Sequence, residues 1–460
     1  MPHRNAILRA ALAAPLLLSV GGLAAADPAR DPGVRAGASG AGDPLPGLTP
    51  AQLAAFEAGK AEFTEPETLA EGLGPRFNLD SCGGCHVQPA LGGTSPPVNP
   101  QVDVATAFGA HNAVPAFVTL DGPVREARFK YNPDGSRDGG VHDLFVVSSR
   151  SDGSGDASRC AIAQEDFAAA ARAGNVIFRI PTPTFGAGLI EQIPDALIVR
   201  NGQLASRRKA ALGIRGRPHR IRLDSGTTNV NGNDGTVARF GWKAQNKSLL
   251  LFSGEAYNVE MGISNELFQT ERDETASCQL APTPNDVTNL DGATPADMLS
   301  GIEKFAAFMR FLAPPVPSPD TPGGTASIES GRTLFRTVGC ADCHTPMLAT
   351  GNASVEALRN QPVPLYSDLL LHGMGPGLAD DIVQAQAGPD EFRTAPLWGV
   401  GQRIFFLHDG RTTDLLAAIT AHASAADGRF AASEANRVVD AFEMLSEPQK
   451  QDVLDFLRSL

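Results

Sequence analysis

The chain has 460 residues, 42% of them hydrophobic, and a formal net charge of −13, enough length for two or three domains with packed cores. The acidic excess argues against nucleic acid as a partner, because phosphates need a basic surface, and favours a basic redox protein instead. Four of the six cysteines fall in two short motifs. The remaining two, Cys160 and Cys278, are expected to form a disulfide in an oxidising compartment.

Residues 1–26 read as an export signal. His3, Arg4 and Arg9 make a basic start, an apolar run extends from Ala10 to Leu23, and Ala24-Ala25-Ala26 forms a small-residue cleavage site before Asp27. That run is short for a membrane span and no later stretch is long enough, so the mature protein is expected to be soluble outside the cytoplasm. Residues 27–48, rich in Gly, Pro and Ala without apolar periodicity, read as a flexible tether.

Residues 49–312 read as a first domain. Thr49-Pro50 opens a helix with Leu53, Phe56 and Phe63 as its apolar positions. From about 113 to 223 short apolar runs (Phe117 to Leu120, Leu144 to Val147, Val176 to Ile180, Ala196 to Val199) alternate with Gly, Pro and Asp turns. This pattern predicts a strand- and loop-rich insertion, with Asp134-Gly135 and Asp138-Gly139-Gly140 as hairpin-type turns. Helical texture returns at Trp242 to Phe252 and is clearest at Ser300 to Leu312, where Ile302, Phe305, Phe308, Met309 and Leu312 share a face. A Pro-rich linker over 313–324 cannot continue that helix and marks the domain boundary. The second domain, 325–460, carries helical patterns at Ser327 to Val338, Leu415 to Ala421 and Gln449 to Leu460.

Cys82-Gly83-Gly84-Cys85-His86 and Cys340-Ala341-Asp342-Cys343-His344 both read Cys-x-x-Cys-His. Two thiols one helical turn apart can add to the two vinyl groups of one haem, and the adjacent His then ligates its iron. A zinc site or a redox dithiol needs neither the adjacent His nor the repetition in an exported chain. The expected fold class is therefore mainly α: two cytochrome c-like haem domains, each with one covalently bound haem c.

Further segments carry a family likeness. Asn78-Leu79-Asp80, Pro89-Ala90-Leu91-Gly92-Gly93, Arg239-Phe240-Gly241-Trp242-Lys243-Ala244-Gln245, Glu260-Met261-Gly262, Tyr366-Ser367-Asp368-Leu369, Met374-Gly375-Pro376-Gly377-Leu378-Ala379-Asp380 and Phe406-Leu407-His408-Asp409-Gly410 resemble the bacterial di-haem oxidoreductases, relatives of the di-haem cytochrome c peroxidases. The resemblance implies a periplasmic enzyme with a peroxidatic first haem and an electron-transfer second haem. It implies hydrogen peroxide, or a protein or small-molecule redox substrate, and a small cytochrome or cupredoxin as electron partner. It also implies a Ca2+ ion between the haem domains.

Carried over position by position, Glu260 becomes the distal acid–base group beside peroxide, and Trp242 the relay between haems. The relatives' distal Gln has no clear counterpart, since Phe252 and Ser253 occupy its neighbourhood. Counting fourteen residues from His408 makes His422 the distal ligand of the second haem, with Met374 as the competing ligand. His111 is the candidate for closing the first haem's sixth position. Arg217 and Arg239, the first of them in the basic stretch from Arg207 to Arg220, are candidate partners of haem propionates. The competing function is a di-haem electron-transfer cytochrome without peroxide chemistry, which would have two stably six-coordinate irons.

Overall fold

The computed structural model describes residues 27–36, 38–220, 236–317 and 322–460; the expected export signal and part of the Pro-rich linker lie outside these ranges. Helices carry most of the regular structure, with small antiparallel sheets between them.

Two helix crossings organise the molecule. The helix Pro50–Thr64 starts at a capping box in which Thr49 and Gln52 each bond the other's backbone, with Pro50 at the first position. It packs on Gly301–Phe311, the helix whose apolar face is plainest in the sequence. Phe56 and Phe63 meet Phe308 there, at centroid distances of 5.3 and 4.8 Å. A Cβ at Gly59 would stand 2.1 Å from the Lys304 carbonyl oxygen, so glycine is what lets these backbones approach. Leu249–Met261 packs on the same partner helix. In the C-terminal half Gly324–Val338 crosses Glu447–Ser459, with Gly331 against the Asp452 carbonyl in the same role.

The first half of the predicted insertion holds strands. Glu126–Phe129 is the centre of a three-stranded antiparallel sheet, flanked by Val141–His142 and Val176–Arg179. Arg76–Phe77 pairs with Phe145–Val146. The second half departs from expectation: Ala187–Glu191, Asp195–Gln203 and Ser206–Leu212 are helical. Ala196 to Val199, predicted as a strand, therefore lies in a helix. Pro194 at its start and Asp195 in its first turn are helix-initiating residues, and they outweigh a four-residue apolar run. The expected helical stretch from Trp242 starts only at Leu249, where the Ser248 hydroxyl accepts from Leu251 N at 3.1 Å. Before it, Phe240 and Asn246 close a tight loop through backbone bonds.

Residues 27–48, predicted as a tether without fixed contacts, are instead packed along both halves. Arg458 holds Asp31 at 2.6 Å, Arg35 donates to the Ser459 carbonyl at 2.9 Å, and Ala29 is buried in the C-terminal core. Further along, Leu45 N donates to Phe311 O, Ala313 N to Asp43 O and Val316 N to Gly40 O. These are mainly polar contacts, three backbone bonds, an ion pair and the Arg35 side-chain bond, which leave no apolar period to read. They also tie down the start of the Pro-rich linker. The larger core cluster includes Phe56 and Phe308 together with Leu358, Leu370 and Trp398, so apolar packing crosses the expected boundary. Cys160 and Cys278 form the expected disulfide. Among the described residues no helix is long and apolar enough to cross a membrane.

Candidate functional site

The first motif begins in a single helical turn, Cys82–Cys85, capped by Ser81, whose hydroxyl accepts from Gly84 N at 3.2 Å. The turn sets both thiols on one side. The Pro89–Gly93 segment then folds back: Gly92 N donates to His86 O, and His86 Nδ1 donates to Gly93 O at 3.0 Å. With Nδ1 committed to a carbonyl, Nε2 keeps its lone pair for a metal. Burial pushes the His86 pKa down to about 4, so the ring is neutral. A cavity of about 160 Å³ opens beside it, lined by Cys82, Cys85, His86, Trp242, Gln245 and Glu260 among others.

Glu260 enters this cavity from the last turn of Leu249–Met261. Asn78 fixes it twice, through Nδ2 to Glu260 Oε2 at 2.8 Å and through its backbone N to Glu260 O at 2.7 Å. Asn78 is itself held by Leu144 N, which donates to its Oδ1 at 2.9 Å. Gly262 ends the helix at φ 78°, where a Cβ would lie 2.5 Å from Gly74 O. Burial first, and the Glu126 charge second, hold the Glu260 carboxyl well above the usual carboxylate range.

The second motif lines a cavity of about 220 Å³ that also takes in His422 and Met374. His344 Nδ1 donates to Tyr366 O at 3.0 Å, and Asp368 N donates to Cys343 O, so the Tyr-Ser-Asp-Leu turn is the scaffold of this histidine. His422 Nδ1 donates to Ala418 O at 2.8 Å, which again leaves Nε2 free. Burial, with His422 as the next contributor, pushes the His344 pKa down to about 4. Trp242 borders both cavities; its Nε1 donates to Ile180 O at 2.9 Å. On the second side it meets His408 edge-on at 6.4 Å, and His408 stacks on Phe392 at 4.4 Å.

Other expectations need correction. His111 is exposed on a loop and lines neither cavity. Arg217 is paired with Glu391 at 2.5 Å, and Arg239 with Asp195 and the Val237 and Ile193 carbonyls, so protein groups satisfy both. Two other arginines, which stand out by no sequence signal, lie against the second cavity. Arg393 and Arg403 are buried at the edge of the second cavity, and among the described residues neither has a carboxylate partner. Burial lowers each to about 10. Gln245 was also missed: it lines the first cavity with no hydrogen-bond partner on Oε1, and its clue was its place three residues after Trp242. Phe252 and Ser253 line the same cavity. The motif cysteines are not disulfide-bonded. Burial raises the Cys82 and Cys85 thiols and pushes Cys340 up to about 12, opposite to an activated redox dithiol. Among the described residues no group of three or more His, Cys, Asp or Glu forms a metal cage, including between the two halves where Ca2+ was expected.

A family profile described as "Di-haem oxidoreductase, putative peroxidase" matches residues 126–460, including the second motif and Glu260 but not the first motif. No curated protein matches the chain. Similar solved structures include Kuenenia stuttgartiensis hydrazine synthase (14% identity, TM-score 0.30, 62% of this chain and 73% of that one). A MauG-like protein associated with microbial copper homeostasis is similar at 16% identity and TM-score 0.28, over 61% of this chain and 89% of that one. The di-haem peroxidase BthA from Burkholderia thailandensis E264 is similar at 14% identity and TM-score 0.27, over 48% of this chain and 65% of that one. With the profile covering more than half of its length, the chain belongs to the di-haem oxidoreductase family.

Proposed function

We propose that this protein is an exported, periplasmic di-haem c-type oxidoreductase with peroxidase-like chemistry. The observation that carries the reading is the asymmetry of the two cavities. The first is lined by a single histidine, His86, and by the buried Glu260 and Glu126; the second is lined by four histidines, of which His344 and His422 each bond a backbone carbonyl through Nδ1.

The residues present fit the group. Cys82 and Cys85, and Cys340 and Cys343, would hold the two haems by thioether bonds, with His86 and His344 as proximal ligands. The guanidinium groups of Arg393, bonded to the Gly241 and Thr394 carbonyls, and of Arg403 have no carboxylate partner among the described residues and suit the propionates of the second haem, since buried cations need an anionic partner. Bound there, the haems supply an iron able to accept peroxide in the first cavity and an electron store in the second. Glu260 moves protons beside the peroxide oxygens, and Gln245 offers a free carbonyl oxygen to orient the substrate. Trp242, bordering both cavities, is the relay between them. A small cytochrome or cupredoxin supplies electrons, and peroxide or another redox substrate consumes them.

Low-temperature electron paramagnetic resonance of the oxidised holoprotein tests this reading. One high-spin and one low-spin haem, with the visible spectrum changing on peroxide addition, is the expected result. Two low-spin haems inert to peroxide in both oxidised and half-reduced protein would establish an electron-transfer cytochrome instead.

A further inference from the structure

The strand Glu126–Phe129 delivers a second carboxyl to the first cavity. Glu126 and Arg128 point to the same face of the strand, and Arg179 stands directly opposite Glu126 on the neighbouring strand. Glu126 is ion-paired with Arg128. Its carboxyl also lies within interaction range of that of Glu260, in the lining of the same cavity. A carboxylate only accepts hydrogen bonds, so two carboxyls can bond to one another only when one carries a proton.

We propose that Glu126 and Glu260 form a proton-sharing pair, with the charge resting on Glu126 and the proton on Glu260. The surroundings decide the assignment. Glu126 faces two guanidinium groups, Arg128 and Arg179. Glu260 faces the neutral amide of Asn78 and a further buried carboxyl, Asp143, which itself pairs with Arg272 at 3.2 Å. Glu255, from the same helix as Glu260, adds another carboxyl near Arg128 and Glu126. Arg179 is shared with Asp380 at 2.7 Å, so Arg128 is the principal counterion of Glu126.

The inference rests on the peroxidase-like reading and deepens it. Cleaving peroxide requires one proton taken from one oxygen and one delivered to the other. A pair holding a single proton offers both an acceptor and a donor, and its own charge is unchanged at the end. Glu126 acts through Glu260 and is a positioning residue. Arg128 and Arg179 favour the anion on Glu126, and burial beside that anion favours the acid on Glu260, so the singly protonated pair lies between the two titrations. The acid limb of the rate–pH profile then belongs to protonation of Glu126, and the alkaline limb to loss of the Glu260 proton.

The test uses infrared difference spectroscopy of the holoprotein at about pH 7. Glu67, with a pKa of about 8, also carries a proton there, so the band of the pair is the protonated-carboxyl C=O band, shifting in heavy water, that remains when the Glu260→Gln spectrum is subtracted from wild type and that Glu67→Gln retains. Glu126→Gln should also lack it, because Glu260 then takes over the charge opposite Arg128 and Arg179. In that variant the acid limb of any peroxide reaction should move to higher pH, with both haems retained and the visible spectrum unchanged. A band that persists in Glu126→Gln, or a band of the pair absent from wild type, overturns the proposal. If Glu126→Gln fails to fold, the difference between wild type and Glu260→Gln decides the matter: no protonated-carboxyl band in it overturns the proposal. The band is read whether or not peroxide reacts, so an inert protein with the band intact would sink the peroxidase-like reading and leave the pair standing.

Discussion

At the scale of single residues, the account turns on two side chains with opposite tasks. Glu260 is placed to move a proton, and a positioned side chain of this kind typically contributes about 10²–10⁴-fold to rate. Glu260→Gln keeps the shape and the Asn78 contact but cannot accept a proton. It should leave both haem spectra nearly unchanged while slowing the stopped-flow reaction with peroxide at least ~100-fold. An equally fast variant would remove Glu260 from the chemistry. In the proposed function His422 has the quieter task of ligating the second iron. His422→Ala should convert the low-spin signal to high-spin, and Met374→Ala should not; the reverse pattern would make Met374 the ligand.

At the scale of elements, the scaffold of the first cavity uses buried acids that prefer to be neutral. Glu67 is 5% exposed and accepts from the Tyr257 hydroxyl at 2.7 Å; burial pushes its pKa up to about 8. Asp143 is pushed up to about 7 by the same cause. A carboxyl with a raised folded-state pKa stabilises fully below its unfolded value and loses that contribution as pH rises through the folded value. Stability should therefore fall between about pH 5 and 8. Glu67→Gln, which has no proton to lose, should flatten part of that slope and be the more stable protein at about pH 8, by on the order of 1–4 kcal/mol. Thermal unfolding across this range checks it, and an unchanged slope would contradict the assignment.

The elements themselves were unevenly legible. The helices Gly301–Phe311 and Gly324–Val338 show in the sequence because one face is apolar and the ends are marked by Ser300 and Gly339. Asn436–Glu443 was overlooked, and Ala196 to Val199 was mistaken for a strand, because these helices are short, eight and nine residues, and show barely two turns of pattern. The haem motifs were legible because covalent chemistry demands a fixed spacing. Glu126, Arg393 and Arg403 were not, because what singles them out is a partner more than a hundred residues away, or the lack of one. The short family motifs proved to be the walls of the cavities. Asn78 anchors Glu260, Gly93 orients His86, and Tyr366 orients His344.

At the scale of the whole molecule, the loop from Arg239 to Asn246 is wedged between the two cavities. Trp242 borders both, Trp242 O accepts from Arg393 N, and Lys243 meets Asp380 at 3.0 Å. Asp380 also takes Arg179 at 2.7 Å, so one buried aspartate ties the strand beneath the first cavity to the wall of the second. The segment 27–48 adds a second tie on the outside. Such a frame would hold the two proposed haems at a fixed separation, which electron relay between them requires.

Everything in this account depends on two haems being covalently attached, one at each Cys-x-x-Cys-His motif. The intact mass of the purified, exported protein after denaturation and acid–acetone extraction measures this directly. The predicted result is the mature polypeptide plus two haems, falling to one haem when either motif's cysteines are replaced by alanine. A mass equal to the bare polypeptide, or to the polypeptide plus a single haem, would contradict it.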